Sequence, residues 1–346
     1  MNKPEFYVKL RKYAVVNNKR AIMQMITSII PYLAIFVIMY WLLMHKYPYL
    51  IVLLLAIINA GFMARVFIIF HDCTHNAFFR SINLNRVVGH FCGILTFTPF
   101  HEWQLGHKIH HATSSNLDKR GTGDLYTMTL NEYYSKTRLK KFFYALFRNP
   151  FFLFIIAPPV KFIILNRIPK NVRRNRELVS SAITTVALAL IIFLSWRTIG
   201  IRNYVMIQLP VIWIGSSIGF WLFFIQHQFE NVYWSRNAEW NPFKAAMEGA
   251  SFYKLPGILR WFTGNIGYHH LHHILLNIPC YYLKDCYEDV RLDEPKISLT
   301  LKTGFKSVYL KLYDEETKKL LSFGKARELI KVRTLEQSNK RKNACH

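Results

Sequence analysis

Acidic residues are scarce: 20 Asp and Glu stand against 45 Lys and Arg in 346 residues, a formal charge of +25. Cysteine is scarce too. The five present (Cys73, Cys92, Cys280, Cys286 and Cys345) are scattered and form no CxxC pair, which excludes a disulfide framework, a zinc ribbon and an iron–sulfur cluster. No GxGxxG opens a helix after a strand, Gly121-Thr-Gly123 falling short of one, and no HPGG haem motif occurs. No electron-transfer domain is therefore visible. Internal repeats and low-complexity segments are missing as well. A cleavable leader is not expected, because residues 1–20 are polar and basic and the first apolar run is long enough to span a membrane.

What is abundant is apolar surface: 52% of the chain is hydrophobic and 16% aromatic. That content excludes disorder. A nucleic-acid binder concentrates its charge on a polar fold, whereas here the charge is interleaved with apolar runs about 20 residues long, the length that crosses a bilayer. Four such runs stand out, near 25–44, 49–70, 178–199 and 204–225. The connections 45–48 and 200–203 are short, so the runs form two helical hairpins. Lys3, Lys9, Arg11, Lys12, Lys19 and Arg20 precede the first run, and Lys161, Arg167, Lys170, Arg173, Arg174 and Arg176 precede the third. By the positive-inside rule, both termini and the long connections are cytosolic. The stretches 86–100 and 142–165 are also apolar, but the first is short and carries Arg86 and His90, and the second is broken by Arg148, Pro150, Pro158 and Pro159. Both read as interfacial or re-entrant helices rather than spans. The expected fold is an all-α integral membrane protein of one domain: four transmembrane helices, a cytosolic helical cap over 71–177 and 226–313, and a charged tail over 314–346.

Nine of the fourteen histidines fall in three five-residue windows: His71-Asp-Cys-Thr-His75, His107-Lys-Ile-His110-His111 and His269-His270-Leu-His272-His273. On a helix, residues three and four apart share a face. HxxxH thus offers two imidazoles to one side and HxxHH offers three. In the last window, positions 269, 272 and 273 lie within about 100° of arc and His270 stands outside it. Neutral imidazole is a good ligand for Fe, Zn, Cu or Ni, and eight of them converge only on a site large enough for two ions. An all-histidine set brings no ligand charge, so the ions keep their full positive charge, which suits dioxygen chemistry better than hydrolysis. All three windows must also face one compartment. His71 follows the second span, window two follows with no full crossing, and the third and fourth spans return the chain before window three. The count closes only with four spans. Of the other histidines, His45 reads as a loop residue, His90 as interfacial or packed and His346 as terminal.

The three boxes, together with TPFHEWQLGHKIHH, FFIQHQFENVYW, GASFYKLP and TGNIGYHHLHH, resemble the membrane fatty acid desaturases, in particular their bacterial acyl-lipid branch, over most of residues 25–285. The first box has three intervening residues rather than the four typical of stearoyl-CoA desaturases, which by this resemblance favours lipid-linked chains. The resemblance implies a non-haem diiron centre whose ligands are His71, His75, His107, His110, His111, His269, His272 and His273, with His227 at the place of a further ligand after the fourth span. Phe223 stands where the acyl-CoA branch has an asparagine. Asp72, His101, Trp103, Gln226, Glu230 and Asn265 are candidates to orient the ligands, with Gln226, Gln228 and Glu230 nearest His227; His101 reads as an orienting or packing residue rather than a ligand. The implied reaction is the oxygen-dependent introduction of a cis double bond into phospholipid acyl chains. Its partners would be those lipids, O2 and an external donor such as ferredoxin, flavodoxin or a cytochrome, with no nucleic acid, and its place a bacterial cell membrane. The cap aromatics Trp103, Tyr126, Phe229, Tyr233, Trp234, Phe252 and Trp261 serve either as walls of an acyl tunnel or as interfacial anchors. Box spacing alone leaves open a hydroxylase or ketolase acting on lipids or carotenoids. A metal-handling membrane protein is a second alternative, although it would carry ionisable groups within its spans and only Arg65 lies deep in one.

Overall fold

The computed structural model describes residues 3–170, 172–290 and 297–343; Cys345 and His346 lie outside them. Among the described residues, four helices are long and apolar enough to cross a membrane: Asn18–Met44, Tyr49–Thr74, Asn175–Thr198 and Ile201–His227. The first starts where Asn17 accepts hydrogen bonds from the backbone N–H groups of Lys19 and Arg20, at 3.0 and 3.2 Å, satisfying donors that a helix N-terminus otherwise leaves open. Its hairpin turn closes with Lys46 at φ 58°, and Pro48 starts the second span. The second hairpin is tighter still. Gly200, at φ +81° with open space around its Cα, joins the third and fourth spans, a backbone state that glycine adopts without steric cost.

The second span is the axis of the bundle. It packs against both the first and the fourth, burying Val52, Ala56, Ala60, Met63, Ile69 and Phe70. The third span leans on the helices Ile82–Leu95 and Phe100–Thr113 and leaves Val179, Ile183, Val186, Leu190 and Leu194 exposed. Such faces are stable in hydrocarbon, where apolar side chains need no cover. Arg65 is braced: its Nε donates to Ser28 Oγ at 3.0 Å, one terminal N–H donates to the Trp261 carbonyl, and the guanidinium lies 4.0 Å from the centre of the Trp261 ring. It ties the short helix Gly257–Phe262 to the second span and does not touch the boxes.

The apolar stretch 86–100 is divided. It ends one helix, turns at Phe97 with φ 57° and begins the next. The 142–165 stretch belongs to a bent pair, Arg138–Phe147 and Phe152–Arg167, meeting at 54°. From the bend the helix Phe152–Arg167 runs beside the fourth span, where Phe154 packs on Trp221 and Phe224 and the Ile155 carbonyl accepts from Trp213 Nε1 at 2.9 Å. It continues past Phe220 to Asn166, which donates to the Phe97 carbonyl. The arm enters and leaves on one side: a fifth crossing would place His107 and His227 at opposite ends, and the two belong to one cluster. Leu139, Phe142, Phe143 and Leu146 are exposed along the arm's first helix, where a lipid boundary would cover them.

At the histidine-bearing end, two small strand pairs complete the cap. Phe252–Tyr253 runs parallel to Ser298–Leu299, and Leu312–Asp314 runs antiparallel to Lys319–Leu321. The expected tail boundary at 313/314 falls inside a strand, and the chain beyond it is attached. Leu320 N donates to the Glu230 carbonyl, Arg333 grips Asp314 with two N–H groups at 2.8 and 2.9 Å, and Ala326 is buried with Leu130, Tyr144 and Leu312. The four described cysteines are buried free thiols.

Candidate metal centre

The second span carries His71 and ends on His75 as its C-cap. The helix Phe100–Thr113 presents His107, His110 and His111, the short helix His269–Ile274 presents the third box, and the fourth span runs through to His227. These four elements bring nine imidazoles into two groups. His71, His75, His107, His111 and His272 form one, and His110, His227, His269 and His273 form the other; within each group the facing atoms lie within 4.8 Å of one another. The groups adjoin, with His111 and His273 at 4.3 Å between ring centres.

Ordinary hydrogen bonding does not explain this arrangement. His107 Nε2 stands 3.0 Å from both His71 Nε2 and His111 Nε2, and His111 Nε2 is 3.2 Å from His272 Nε2. In the second group, His227 Nε2 is 3.1 Å from His110 Nε2 and 3.0 Å from His269 Nε2. An imidazole nitrogen has either one proton or one lone pair, so it cannot bond two others of its kind. Lone pairs converging on a shared cation do account for it, since nitrogens about 2.1 Å from an ion and at right angles stand about 3 Å apart. Burial, reinforced by neighbouring imidazoles, holds His75, His107, His110, His111, His269, His272 and His273 well below the ordinary imidazole range. They are neutral at pH 7, as ligation requires.

The surroundings sort the candidate orienting residues. Asp72 touches a box directly: Oδ1 accepts from His71 Nδ1 at 3.0 Å, and Oδ2 accepts the Cys280 N–H at 2.6 Å. Trp103 stacks on His107, with centroids 4.3 Å apart and planes at 26°. Gln226 and Asn265 act one step back, on the loop that leads into the third box. Gln226 donates to the Ile266 carbonyl at 3.0 Å and Asn265 to the Cys280 carbonyl at 3.2 Å. His101 does not reach the boxes; its Nδ1 lies 3.0 Å from Gln104 Oε1, and Gln104 in turn donates to the Thr74 carbonyl.

His227 is not oriented by its neighbours in sequence. Glu230 is exposed, and Gln228 accepts from the buried Arg148 at 2.8 Å. The partner of His227 Nδ1 is the Gly249 carbonyl at 3.0 Å, a backbone group that leaves no signature in sequence. Ser251 secures that segment by donating its N–H to the Gln226 carbonyl and its hydroxyl to the Ile225 carbonyl. Phe223 closes the second group on one side, its ring 5.2 Å from His110 and 5.5 Å from His227. His270 turns away from both groups. Its ring faces Phe252 and Tyr287 at 6.1 Å, and among the described residues neither nitrogen has a hydrogen-bond partner. Phe252 packs on Tyr268 and Tyr287, behind the third box rather than along a path to it.

Four spans and a histidine-lined site at one end of them define a multi-pass membrane protein built to use a metal. The fatty acid desaturase family model matches residues 47–304. A fatty acid desaturase of Bacillus subtilis is 42% identical over 311 residues, covering 90% of this chain and 88% of that one. The sn-1 acyl-lipid omega-3 desaturase (ferredoxin) of Synechocystis is 27% identical over 244 residues, and the sn-1 oleoyl-lipid 12-desaturase of Picosynechococcus is 25% identical over 229 residues. Each of these matches takes in 65% of this chain, and the chain spans 63% and 65% of the two cyanobacterial proteins, just under two thirds. The chain belongs to the fatty acid desaturase family and is an oxidoreductase, which sets aside the metal-handling alternative.

Proposed function

We propose that this protein desaturates acyl chains of membrane phospholipids, using dioxygen, two irons held by the nine imidazoles and electrons from an external donor. The observation that carries the reading is the division of the imidazoles into adjoining groups of five and four, a donor set with no carboxylate and room for two cations. Iron bound there supplies the dioxygen chemistry needed to remove hydrogen from an unactivated methylene. The chain's own residues prepare the site. Asp72, by accepting from Nδ1 of His71, leaves the lone pair on Nε2, and the Gly249 carbonyl does the same for His227. Trp103 and Phe223 keep water from His107 and His110. The relatives' names, one of them ferredoxin-linked, support a lipid-linked substrate and a separate donor, with ferredoxin, flavodoxin or a cytochrome as candidates. The positive charge flanking the first and third spans supports a cytosolic site in a bacterial cell membrane.

Lipid analysis of a host expressing the chain tests the reading. New cis-monounsaturated chains should appear in phospholipid only when oxygen is supplied. Hydroxy or keto lipids without an alkene would transfer the claim to a hydroxylase.

A further inference from the structure

We propose that a basic cavity beside His75 seats the phosphate of the phospholipid whose chain is being desaturated. The inference rests on the phospholipid substrate proposed above and adds the residues that would recognise it. A cavity of about 540 Å³ lies where the second and third spans meet the cap, and His75 is part of its wall. Its cations come from three elements: Arg86 from the helix Ile82–Leu95, Lys108 from the helix Phe100–Thr113, and Arg173, Arg174 and Arg176 from the entry to the third span. Among the described residues lining it, the one carboxylate, Glu177, is committed. It accepts from Arg176 Nε at 2.8 Å and from the backbone N–H groups of Arg174 and Arg173 at 2.6 and 3.4 Å. Among the described residues, Arg86, Lys108, Arg173 and Arg174 form no ion pair.

Five cations, all solvent-exposed, around one neutralised carboxylate leave a surplus of four about the mouth of this recess, and an anion offsets their mutual repulsion. Guanidinium forks match phosphate oxygens bidentately. The volume falls in the range of small-ligand sites, and a recess suits a headgroup better than the broad face of a protein donor. Its level is also where a bilayer places phosphate, since two spans end there. A lipid held by its phosphate at this point has its chains beside the first group of imidazoles.

The test uses the full-length, iron-loaded protein in nanodiscs of an uncharged galactolipid, kept anaerobic and unreduced so that nothing turns over. Binding of spin-labelled phosphatidylglycerol is then titrated. Arg86→Gln, and separately Arg173→Gln with Arg174→Gln, should each weaken binding about tenfold, the scale of one charge-assisted hydrogen bond. Lys325→Gln, in the tail helix, should leave binding unchanged. Using changes on two elements guards against a variant that merely fails to fold, and unchanged bound iron checks each one. Inorganic phosphate that displaces the lipid at millimolar concentration would overturn the lipid assignment in favour of a free-phosphate site. Unaltered lipid affinity, with a raised Michaelis constant for the electron donor in a separate aerobic turnover assay of the same variants, would overturn it in favour of donor docking. Arginine-dependent binding in a protein that makes no unsaturated phospholipid would uphold the cavity and refute the substrate reading. Unsaturated phospholipid made by variants of unaltered lipid affinity would do the reverse.

Discussion

Replacing Gly249 with alanine tests whether the backbone behind His227 governs the second group of imidazoles. A Cβ at this position would lie 2.1 Å from Ser115 Oγ, 2.5 Å from the Ala245 carbonyl oxygen and 3.1 Å from Ser115 Cβ. No rotamer relieves the contact with Ala245, because it is backbone, so the segment itself must move. Overpacking of this kind costs about 1–3 kcal/mol. The displaced group is the carbonyl that holds His227 Nδ1 at 3.0 Å, and loss of such an orienting bond lowers metal affinity by about 10–100-fold. Gly249→Ala should therefore lose iron from the four-imidazole group first, measured as iron per chain after a timed chelator challenge, with oxygen-dependent desaturation falling in parallel. Adding Ser115→Gly removes two of the three contacts at a residue already at φ 62°, where glycine is unstrained. It should restore part of the iron. Full retention of chelator-resistant iron in Gly249→Ala would refute the reasoning.

Three further outcomes follow from the same geometry. His227→Ala should abolish desaturation and reduce bound iron from about two per chain while the protein still inserts in the membrane, whereas His270→Ala should keep both iron and activity; equal tolerance at the two positions would remove His227 from the ligand set. Reporter fusions after residues 46, 120, 201 and 300 should read outside, inside, outside, inside, and an external signal at 120 or 300 would contradict a shared site. Asp314 is held down at about 2: burial works against its charge, but the bonds from Arg333 and Thr317 prevail. Its contribution is therefore present above pH 4 and lost as the pH falls toward 2. Asp314→Asn should detach the tail helix at neutral pH and expose Phe323–Asn343 to limited proteolysis, with little change in bound iron; continued protection would show that Ala326 and its apolar neighbours hold the helix unaided.

The legible parts of the fold and site were those governed by local rules. Span length follows from the thickness of hydrocarbon, and the four spans read from it are the four helices observed. The arc that sets His270 apart from His269, His272 and His273 follows from 3.6 residues per turn, and the structure turns His270 toward Phe252 and Tyr287. Of the prolines in the 142–165 stretch, Pro150 stands at the bend, whereas Pro158 and Pro159 lie within the helix Phe152–Arg167, which takes up wider π-helical turns on either side of them. What escaped depended on tertiary meeting points. The Gly249 carbonyl is chemically anonymous, and only the close passage of its segment past Ser115 and Ala245 places it behind His227. Glu230 was the more visible candidate because it is near His227 in sequence, but the helix ends at 227 and carries the chain out to solvent. The basic cavity joins Arg86, Lys108 and Arg173, which lie far apart in the chain.

The five-and-four division also shows why the boxes differ in form. Residues four apart stay together: His71 with His75, His107 with His111, and His269 with His273. The residue at the remaining ring position of each HxxHH box crosses to the other group, so that His110 joins the 269/273 pair and His272 joins the 107/111 pair. Two helices that each keep two imidazoles and exchange one build two groups of three. The first box, on the second span, adds His71 and His75 to one of them and makes five. The other group has no such addition from the second span and would stay at three imidazoles. The fourth span supplies the missing one by remaining helical as far as His227, where the Gly249 carbonyl holds the ring from behind. A plain HxxxH, two HxxHH boxes and a lone histidine at the end of a span are thus one arrangement, in which each pattern is set by what the other elements leave open.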